Sequence, residues 1–342
     1  MLVLAIESSC DETAASVVNN GRMVLSNIVA SQIDIHSRYG GVVPEIASRK
    51  HMETIIPVII QSLDEAGISL RDIEGIAVTR GPGLVGSLLV GLQVAKSIAF
   101  ARGIPFIGVN HLEGHVSAVY LNKEVPDFPF IALVVSGGHT DIYLVRNFAR
   151  FSHLGGTKDD AAGEAFDKAA KLLEIGYPGG VVIDRLARGA DRKKIAFPRP
   201  LIKDDGFDFS FSGLKTALLS HVKKMHIPPA KEEIPDLVAS YQEAIVDVLV
   251  DKTLRAAKTH AVNRVVLAGG VAANSRLRER FHEDADRLGI KVFIPPLGLC
   301  TDNAAMIAVV GDYYLSHGER DGLELNALSR WPLDFKKNDC VV

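Results

Sequence analysis

Two histidines spaced four residues apart form the most suggestive chemical pair in the sequence. His111 and His115 follow an apolar run at 106–109 that predicts a buried strand, and they open a segment that predicts a helix. Residues four apart share one helix face, so both imidazoles could bind one metal ion. Glu113 lies about 200° around such a helix from His111 and points away from the pair. The pair is therefore a candidate metal site without the glutamate base of His-Glu-x-x-His proteases, and two partly buried structural histidines are the alternative.

The composition is that of a folded globular protein. The chain has 342 residues, enough for two domains, and it is 47% hydrophobic and 23% charged. A net charge of −3 gives no sign of an overall basic nucleic-acid binder, although local patches could serve that purpose. Three cysteines are too few and too scattered for a disulfide framework, which predicts a reducing, cytoplasmic location.

No membrane association is expected. The N-terminus has no basic region of the kind that begins a signal peptide. The most apolar predicted helix, residues 84–101, contains Gln93, Lys96 and several glycines. We predict that this helix is too short and too polar to span a bilayer.

A strand-turn-strand pattern occurs twice in the chain. An apolar run at 1–6 leads through a polar turn into a second run at 14–18, and the runs 130–135 and 141–145 flank the turn 136–140 in the same way. This repetition predicts a duplicated domain. Small residues in such turns let backbone N–H groups approach an anion closely, so both turns are candidate phosphate sites.

Two glycine-rich segments have different interpretations. Residues 269–274 lie between a predicted strand at 265–268 and a predicted helix at 275–288, the arrangement that presents backbone donors to a nucleotide. Residues 81–86 match the dinucleotide fingerprint by letters, but no acidic residue follows about 20 positions later and Pro82 is unfavourable there. Tight packing of a strand against a helix is the expected role of that second segment.

These features predict an α/β protein with two lobes, the duplicated fold of the actin, Hsp70 and sugar-kinase superfamily. We place the first lobe at 1–110, joined by a C-terminal helix at about 302–330. The second lobe, 111–301, contains the glycine-rich nucleotide loop, and residues 331–342 form a loose tail.

Seven motifs in one order closely resemble the bacterial TsaD family, formerly called O-sialoglycoprotein endopeptidases. The resemblance extends from the first strand to about Trp331, and one departure is Val181, where the family usually has proline. The motifs are Glu7-Ser-Ser-Cys-Asp-Glu-Thr13, His111-x-x-x-His115, Val135-Ser-Gly-Gly-His-Thr140, Tyr177-Pro-Gly-Gly180, Ser210-Phe-Ser-Gly-Leu-Lys-Thr216, Gly269-Gly-Val-Ala-Ala-Asn274 and Thr301-Asp-Asn-Ala304.

The resemblance implies a set of site residues. It implies one divalent metal per chain, iron first and zinc second, and Asp11 as the catalytic acidic residue. Asp184 is similar to a ribose-contacting carboxylate of archaeal relatives. The implied metal ligands are His111, His115 and Asp302, the implied substrate-binding turn is Val134, Val135, Ser136, Gly137 and Gly138, and the implied adenylate contacts are Asp167, Gly180 and Asn274. Taken singly, Asp11 could instead cap a turn, Asp302 and Asn274 could cap helices, and Asp167 could be a surface residue.

The resemblance also implies a reaction and partners. Members of the family transfer a threonylcarbamoyl group from threonylcarbamoyl adenylate to the exocyclic amine of the adenosine beside the anticodon, in tRNAs that read codons starting with A. A TsaB-like paralogue and a TsaE-like ATPase are the expected protein partners. The alternatives are a small-molecule kinase or ATPase of the same fold, a metalloprotease, and a non-catalytic scaffold.

Overall fold

The computed structural model describes residues 1–224 and 232–334 and divides the chain into two compact units. Unit 1 contains Met1–Val125 and the chain from Pro295 onward, and unit 2 contains Pro126–Ile294. The sequence-based boundary was placed after residue 110, whereas the chain passes from unit 1 to unit 2 after Val125. The helix that begins at His111 therefore belongs to unit 1.

Unit 1 contains a five-stranded sheet in the order β3-β2-β1-β4-β5. Strand β1 pairs antiparallel with β2 and parallel with β4. The strands are β1 (Leu2–Glu7), β2 (Glu12–Asn19), β3 (Met23–Ser31), β4 (Gly75–Gly81) and β5 (Phe106–Asn110).

Helices cover both faces of this sheet. They are α1 (Ile33–His36), α2 (Pro44–Ala66), α3 (Val85–Arg102), α4 (His111–Ser117) and, near the C-terminus, α10 (Ala304–Ser316). Along β1, Val3 and Ala5 pack with α10, whereas the alternate residues Leu4 and Ile6 pack with α2 and α3. Successive side chains of a strand point to opposite faces, so one uninterrupted apolar run supplies both cores.

Unit 2 repeats the topology of unit 1. Its sheet has the order β10-β9-β6-β7-β8, with β6 antiparallel to β7 and parallel to β9. Each strand therefore has a counterpart in unit 1, which accounts for the repeated strand-turn-strand pattern. The strands are β6 (Phe130–Val135), β7 (Thr140–Asn147), β8 (Arg150–Gly156), β9 (Arg264–Ala268) and β10 (Lys291–Phe293).

A long helix, α8, forms the centre of the helical part of unit 2. The helices of this unit are α5 (Ala162–Leu172), α6 (Gly179–Leu186), α7 (Ser212–Val222), α8 (Ile234–Thr259) and α9 (Ser275–Arg287). Helix α8 contacts α6, α9 and strand β6. The hydroxyl of Tyr241 on α8 donates to the carbonyl of Ala165 on α5 at 3.1 Å, so α8 is tied to several elements at once.

By length and composition alone, helix α3 is long and apolar enough to cross a membrane. The prediction that this helix is too short and too polar is therefore wrong on length and composition. The helix packs against β4 and α2. Leu88, Leu92 and Ala95 are buried on its inner side. A core helix can pass the same test as a membrane span, so one such helix is weak evidence for a membrane span.

The predicted C-terminal helix is shorter than expected. Helix α10 ends at Ser316, and the C-terminal segment 319–334 then runs back over the ends of β4 and β5. There Leu328 N donates to the carbonyl of Arg80 at 2.9 Å. Trp331 and Leu333 are buried, so the loose tail does not begin at 331; residues 335–342 lie outside the described residues.

The C-terminal segment also explains the glycines at 81–86. Gly81 has a φ of +158°, and a Cβ there would overlap the carbonyl of Leu328. Gly83 N donates to the carbonyl of Ser329 at 3.3 Å. The chain itself therefore fills the space that a dinucleotide would need, and these glycines serve close backbone packing.

Candidate functional site

The helix that carries the two histidines begins directly where strand β5 ends. The side-chain oxygen of Asn110 accepts from Leu112 N at 2.9 Å and from Glu113 N at 3.4 Å. An asparagine at this position satisfies N–H groups that have no partner within the helix. The Asn110 amide donates to the carbonyl of Trp331 at 3.0 Å, so the C-terminal segment also holds this helix start.

His111, His115 and Asp302 converge within unit 1. The two imidazole rings are buried, with centroids 4.6 Å apart. Oδ1 of Asp302 lies 3.0 Å from Nε2 of His115 and 3.5 Å from Nε2 of His111. The three candidate ligand atoms all lie within 4.8 Å of one another, although His115 and Asp302 are 187 positions apart.

A glycine allows this convergence. Asp302 lies just before helix α10, whose start is capped by Asn303 through a 3.0 Å bond from Met306 N. A Cβ on Gly114 of α4 would lie 2.8 Å from Cδ1 of Ile307 and 3.3 Å from Cγ of Met306. A residue without a side chain lets α4 and α10 approach this closely without displacing Ile307. The glycine inside His111-x-x-x-His115 therefore helps to bring the carboxylate to the histidines.

The geometry of these three groups fits a divalent metal ion. Neighbouring ligands of a tetrahedral metal, with bonds of about 2.0–2.2 Å, lie about 3.3–3.5 Å apart. The separations of 3.0 and 3.5 Å between Asp302 Oδ1 and the two Nε2 atoms are close to that value. Two imidazoles and one carboxylate also form the ligand set of many iron(II) and zinc sites. The donor set thus suits both metals and does not select between them.

The cluster favours a positive charge. Burial alone would lower the pKa of His111, but the negative charges of Asp302 and Glu7 outweigh it and raise that pKa well above its usual value. Burial alone would raise the pKa of Asp302, but His111 and His115 hold it well below its usual range. Both shifts arise from buried carboxylates that face the imidazoles, and the negative charge of these carboxylates would attract a divalent cation.

Glu7 is a buried partner of the histidine pair that the sequence does not single out as a site residue. Its Oε2 lies 2.9 Å from Nδ1 of His111. Burial raises the pKa of Glu7, but the charge of His111 and its hydrogen bond outweigh that and leave the pKa below the usual value. The signal in the sequence is a carboxylic acid at the end of a buried strand, which needs a partner.

The turn between β1 and β2 carries Asp11, the candidate catalytic acid, which is buried. His51 holds this turn: its Nε2 lies 3.0 Å from the carbonyl of Cys10, and its Nδ1 lies 2.8 Å from the hydroxyl of Thr13. Burial, followed by the negative charges of Asp302 and Asp11, raises the pKa of Glu12 to about 10. The turn is thus electrostatically coupled to Asp302, and it concentrates acidic groups beside the histidine pair.

Neither cysteine near this turn has the properties of a metal ligand. Burial and the nearby carboxylates raise the pKa of the Cys10 thiol well above its usual value, which disfavours the thiolate. The buried Cys300 Sγ lies 3.4 Å from the carbonyl of Pro295. Both fit the role of small apolar filler.

Glu113 does not serve the histidine pair. It is buried, and its Oε1 accepts from the hydroxyl of Tyr314 on α10 at 2.9 Å. This bond ties α4 to α10. A zinc protease needs its glutamate beside the metal, so the geometry speaks against the metalloprotease alternative.

In unit 2, the candidate substrate-binding turn follows strand β6. Val134 and Val135 are the last residues of β6, paired with Asp141 and Thr140 of β7. The turn is closed by Ser136, whose N–H donates to the carbonyl of His139 at 2.8 Å.

Two kinds of glycine meet at this turn. A Cβ on Gly163 of α5 would lie 2.5 Å from the carbonyl oxygen of Ser136, so Gly163 is required by internal packing. Gly137 and Gly138 are exposed, and a Cβ on either would meet no atom within 4 Å. Neither has a positive φ. Internal packing therefore does not explain these two glycines, whereas close approach of a ligand to their backbone would.

Asp167 and Gly180 flank a second turn of unit 2. Oδ1 of Asp167 accepts from Gly179 N at 2.7 Å, which fixes the start of α6. A Cβ on Gly179 would lie 2.5 Å from the carbonyl oxygen of Phe166, whereas one on Gly180 would meet only ordinary contacts at 3.9 Å. Asp167 thus has a structural bond, and Gly180 leaves open space.

Asp184 and Asn274 lie together at the start of helix α9. Oδ1 of Asp184 accepts from Ser275 N at 3.1 Å and from the Ser275 hydroxyl at 2.7 Å. Asn274 caps α9 by accepting from Leu277 N at 3.0 Å, and its amide donates to Oε1 of Gln242 at 2.8 Å. Asn274 thus has the capping bond that the sequence left open as the alternative to ligand contact, and Asp184 bonds the same helix start.

A family model and curated relatives cover nearly the whole chain. The model for tRNA N6-adenosine threonylcarbamoyltransferase, TsaD, matches residues 23–309. The chain belongs to the TsaD family. It is 67% identical over 334 residues to the tRNA N6-adenosine threonylcarbamoyltransferase of Syntrophus aciditrophicus (strain SB), covering 98% of both chains. It is 60% identical to the protein of that name from Geobacter metallireducens, again covering 98% of both chains.

Solved structures show the same fold at low sequence identity. Full-length HypF in its phosphate- and nucleotide-bound form superposes with a TM-score of 0.62 at 14% identity, covering 92% of this TsaD family chain and 46% of HypF. The activator of 2-hydroxyisocaproyl-CoA dehydratase from Clostridium difficile superposes with a TM-score of 0.54 at 16% identity, covering 93% and 97%. These matches confirm the predicted duplicated α/β fold of the actin, Hsp70 and sugar-kinase type.

Proposed function

We propose that this chain transfers a threonylcarbamoyl group to the N6 amine of the adenosine beside the anticodon, in tRNAs that read codons starting with A. The observation that carries the proposal is the match at 67% identity over 98% of the chain to a protein named for this transfer. The convergence of His111, His115 and Asp302 in unit 1 supports it with a site that could hold a metal.

The donor is threonylcarbamoyl adenylate, a mixed anhydride with AMP as leaving group. The adenine N6 attacks the carbamoyl carbon, a C–N bond forms, the C–O bond to the phosphate breaks, and the amine loses one proton. Asp11 is the group of this chain that accepts that proton, an effect of about 10²–10⁴-fold for general bases. The backbone N–H groups of Gly137 and Gly138 stabilise negative charge on the donor.

The remaining site residues bind the adenylate. Val134, Val135 and the turn after them approach the phosphate and carbamoyl groups, and Gly180 leaves room for the nucleotide. Asp184 binds the ribose by accepting a hydrogen bond from a ribose hydroxyl in place of one of its bonds from Ser275. Asp167 and Asn274 hold the two helix starts, α6 and α9, that face the nucleotide with their N–H groups.

His111, His115 and Asp302 hold one divalent metal, iron by first choice and zinc by second. When bound, the metal supplies Lewis-acid stabilisation of developing negative charge. The protein partners are a TsaB-like paralogue and a TsaE-like ATPase, and the enzyme acts where tRNA is found, in the cytoplasm.

The test is the modified nucleoside itself. Depleting this chain in its host should remove N6-threonylcarbamoyladenosine from digested tRNA, as measured by mass spectrometry. Wild-type chain should restore the nucleoside, Asp302→Ala should not, and Asp34→Ala, an exposed acid of the same unit, should restore it. Unchanged nucleoside in the depleted strain, or an ADP-releasing kinase activity of the pure protein, would refute the proposal.

A further inference from the structure

Glu7 is the most constrained carboxylate near the histidine pair. Its side chain is fully buried at the end of β1. Oε1 accepts from the backbone N–H of Ser9 at 2.5 Å, and Oε2 accepts from the hydroxyl of Thr79 at 2.6 Å. These bonds fix both oxygens in place, so the carboxylate cannot rotate away from His111 without losing them.

The third bond of Glu7 determines which nitrogen of His111 carries hydrogen. Nδ1 of His111 lies 2.9 Å from Oε2, and an ionised carboxylate can only accept. The hydrogen between them therefore belongs to Nδ1. The Ser9 hydroxyl oxygen, 3.2 Å from the same nitrogen, can accept part of this bond. The neutral ring then carries its lone pair on Nε2, the atom that lies 3.5 Å from Asp302.

His115 differs from His111 in this respect. Its Nε2 lies 3.0 Å from Oδ1 of Asp302. Its Nδ1 is buried and has no hydrogen-bond partner among residues 1–224 and 232–334. Within that part of the chain, a carboxylate other than the candidate ligand Asp302 bonds His111, and none bonds His115.

We propose that Glu7 is a positioning residue for the metal site, which holds His111 as the Nδ1–H tautomer and so presents Nε2 to the cation. The inference rests on the proposed metal site and is independent of the proposed transfer reaction. Glu7 does not touch the cation in this arrangement. Such outer carboxylates fix the ring orientation of a metal-binding histidine and raise its basicity.

Glu7→Gln is a sharp test because the glutamine cannot satisfy every contact. The fixed backbone N–H of Ser9 requires an acceptor, so the amide oxygen takes the place of Oε1. The amide NH₂ then takes the place of Oε2 and donates to Nδ1 of His111. That contact stabilises the opposite tautomer, which has hydrogen on Nε2, the nitrogen needed for the cation.

The first measurement is binding of Co²⁺ alone to the metal-free full chain, by calorimetry and by the visible spectrum of the bound ion. We expect Glu7→Gln to weaken binding about 10–100-fold, the usual loss for such a partner. Glu7→Asp, which keeps the carboxylate, should recover part of the loss. Glu113→Gln is the matched control, because Glu113 is a buried carboxylate on α4 that bonds Tyr314; it should leave Co²⁺ affinity within about twofold.

The second measurement is the tautomer of His111, from long-range ¹H–¹⁵N spectra of histidine-labelled, metal-free protein, with the signal assigned by His111→Gln. The wild type should show hydrogen on Nδ1 and Glu7→Gln hydrogen on Nε2. The wild-type spectrum alone decides the matter if Glu7→Gln does not fold. A wild-type ring with hydrogen on Nε2 and none on Nδ1, unchanged Co²⁺ affinity in a folded Glu7→Gln, or an equal loss in Glu113→Gln would each overturn the proposal. If the wild type shows the expected Co²⁺ binding and His111 tautomer but does not transfer the threonylcarbamoyl group, only the proposed function is refuted.

Discussion

Asp11 is the residue on which the proposed proton transfer depends most directly. It is buried in the turn between β1 and β2, next to Glu12, whose raised pKa reflects burial and two neighbouring carboxylates. Crowding of acidic groups is typical of sites that handle protons or cations rather than of ordinary turn caps. His51 holds this turn through the carbonyl of Cys10.

We therefore expect Asp11→Ala to abolish transfer while the metal content and the melting temperature stay at wild-type values. Transfer is measured with tRNA, the adenylate and the partners present, and metal content by elemental analysis. Asp34→Ala controls for the loss of an acid. A wild-type rate in Asp11→Ala would return Asp11 to the role of a turn cap.

Asn274 requires two substitutions, because its side chain both caps α9 and lies in the candidate nucleotide site. Asn274→Ala removes the cap to Leu277 N and the amide bonded to Gln242, whereas Asn274→Ser keeps a capping oxygen. We expect both variants to weaken AMP binding by about 1–3 kcal/mol. Only Asn274→Ala should also lose about 1 kcal/mol of folding stability. Calorimetric AMP affinities equal to wild type in both would exclude this loop from the site.

At the scale of single elements, Asp159 sets the start of helix α7. Its carboxylate accepts from the hydroxyls of Ser210 and Ser212 at 2.6 and 2.7 Å, and from Phe211 N and Ser212 N at 2.8 and 3.2 Å. Burial works against these bonds, but they lower the pKa of Asp159 to about 2. The Ser-Phe-Ser motif that marks the family thus has a structural role as the partner of this aspartate.

The lowered pKa makes the effect of Asp159 depend on pH. The folded-state pKa of about 2 lies below the usual value of 3.8, so the stabilisation is fully present above about pH 4 and is lost as the pH falls through 2. At pH 7 we expect Asp159→Asn to lose about 0.5–1 kcal/mol of unfolding free energy, a small value because the side chain is largely exposed. Urea titrations should show this difference from wild type shrink between pH 4 and pH 2. A difference that stays constant would contradict the assignment.

The elements that sequence patterns predict well are those with one dominant local signal. The buried central strands are continuous apolar runs, and their ends match the structure closely. The sequence does not predict strands β3 and β8. Both are edge strands in which polar and apolar residues are mixed, and their pairing with β2 and β7 shows them to be strands. Helix α8 was not predicted either; it is buried on most sides, so it lacks the polar face that gives a helical pattern.

The candidate site divides in the same way. The spacing of His111 and His115 shows locally that they share a helix face. Asp302 joins them through the path of α10, which no local pattern encodes, and only the family resemblance indicated it. The sequence does not indicate Glu7 as a site residue, because its burial and its bond to His111 are visible only in the folded structure. Site residues close together in the sequence can thus be predicted from their spacing. Site residues that tertiary packing brings together cannot be predicted in this way.

At the scale of the whole molecule, the duplicated fold assigns different tasks to two units of equal topology. Unit 1 uses the turn after its first strand and the end of β5 for acidic groups and the histidine pair. Unit 2 uses the equivalent turn after β6, and the start of α9, for exposed glycines and N–H groups. The same topology therefore supplies a candidate cation site in one copy and, in our proposal, an anion site in the other.

The surface of unit 1 carries an exposed apolar stripe on helix α2. Met52, Ile56 and Ile60 of α2 are 63%, 50% and 54% exposed. They are four residues apart and so form one apolar stripe on the outer face of the helix. An exposed apolar stripe of this kind is characteristic of an interaction surface. Since net charge −3 offers little general attraction for tRNA, a protein partner would also contribute RNA contacts.

We propose that the TsaB-like paralogue covers this α2 stripe and that the chain alone is slow. Purified chain with synthetic adenylate and tRNA should give little turnover, and adding the paralogue and the ATPase should restore multiple turnovers. Ile56→Glu should abolish both complex formation, measured by analytical ultracentrifugation, and the stimulation, because a charge would be buried in an apolar contact. Leu323→Glu is the matched control, since Leu323 is 51% exposed in the same unit, and it should leave both unchanged. Full multiple turnover by the isolated chain, or normal assembly of Ile56→Glu, would show that the stripe does not bind this partner.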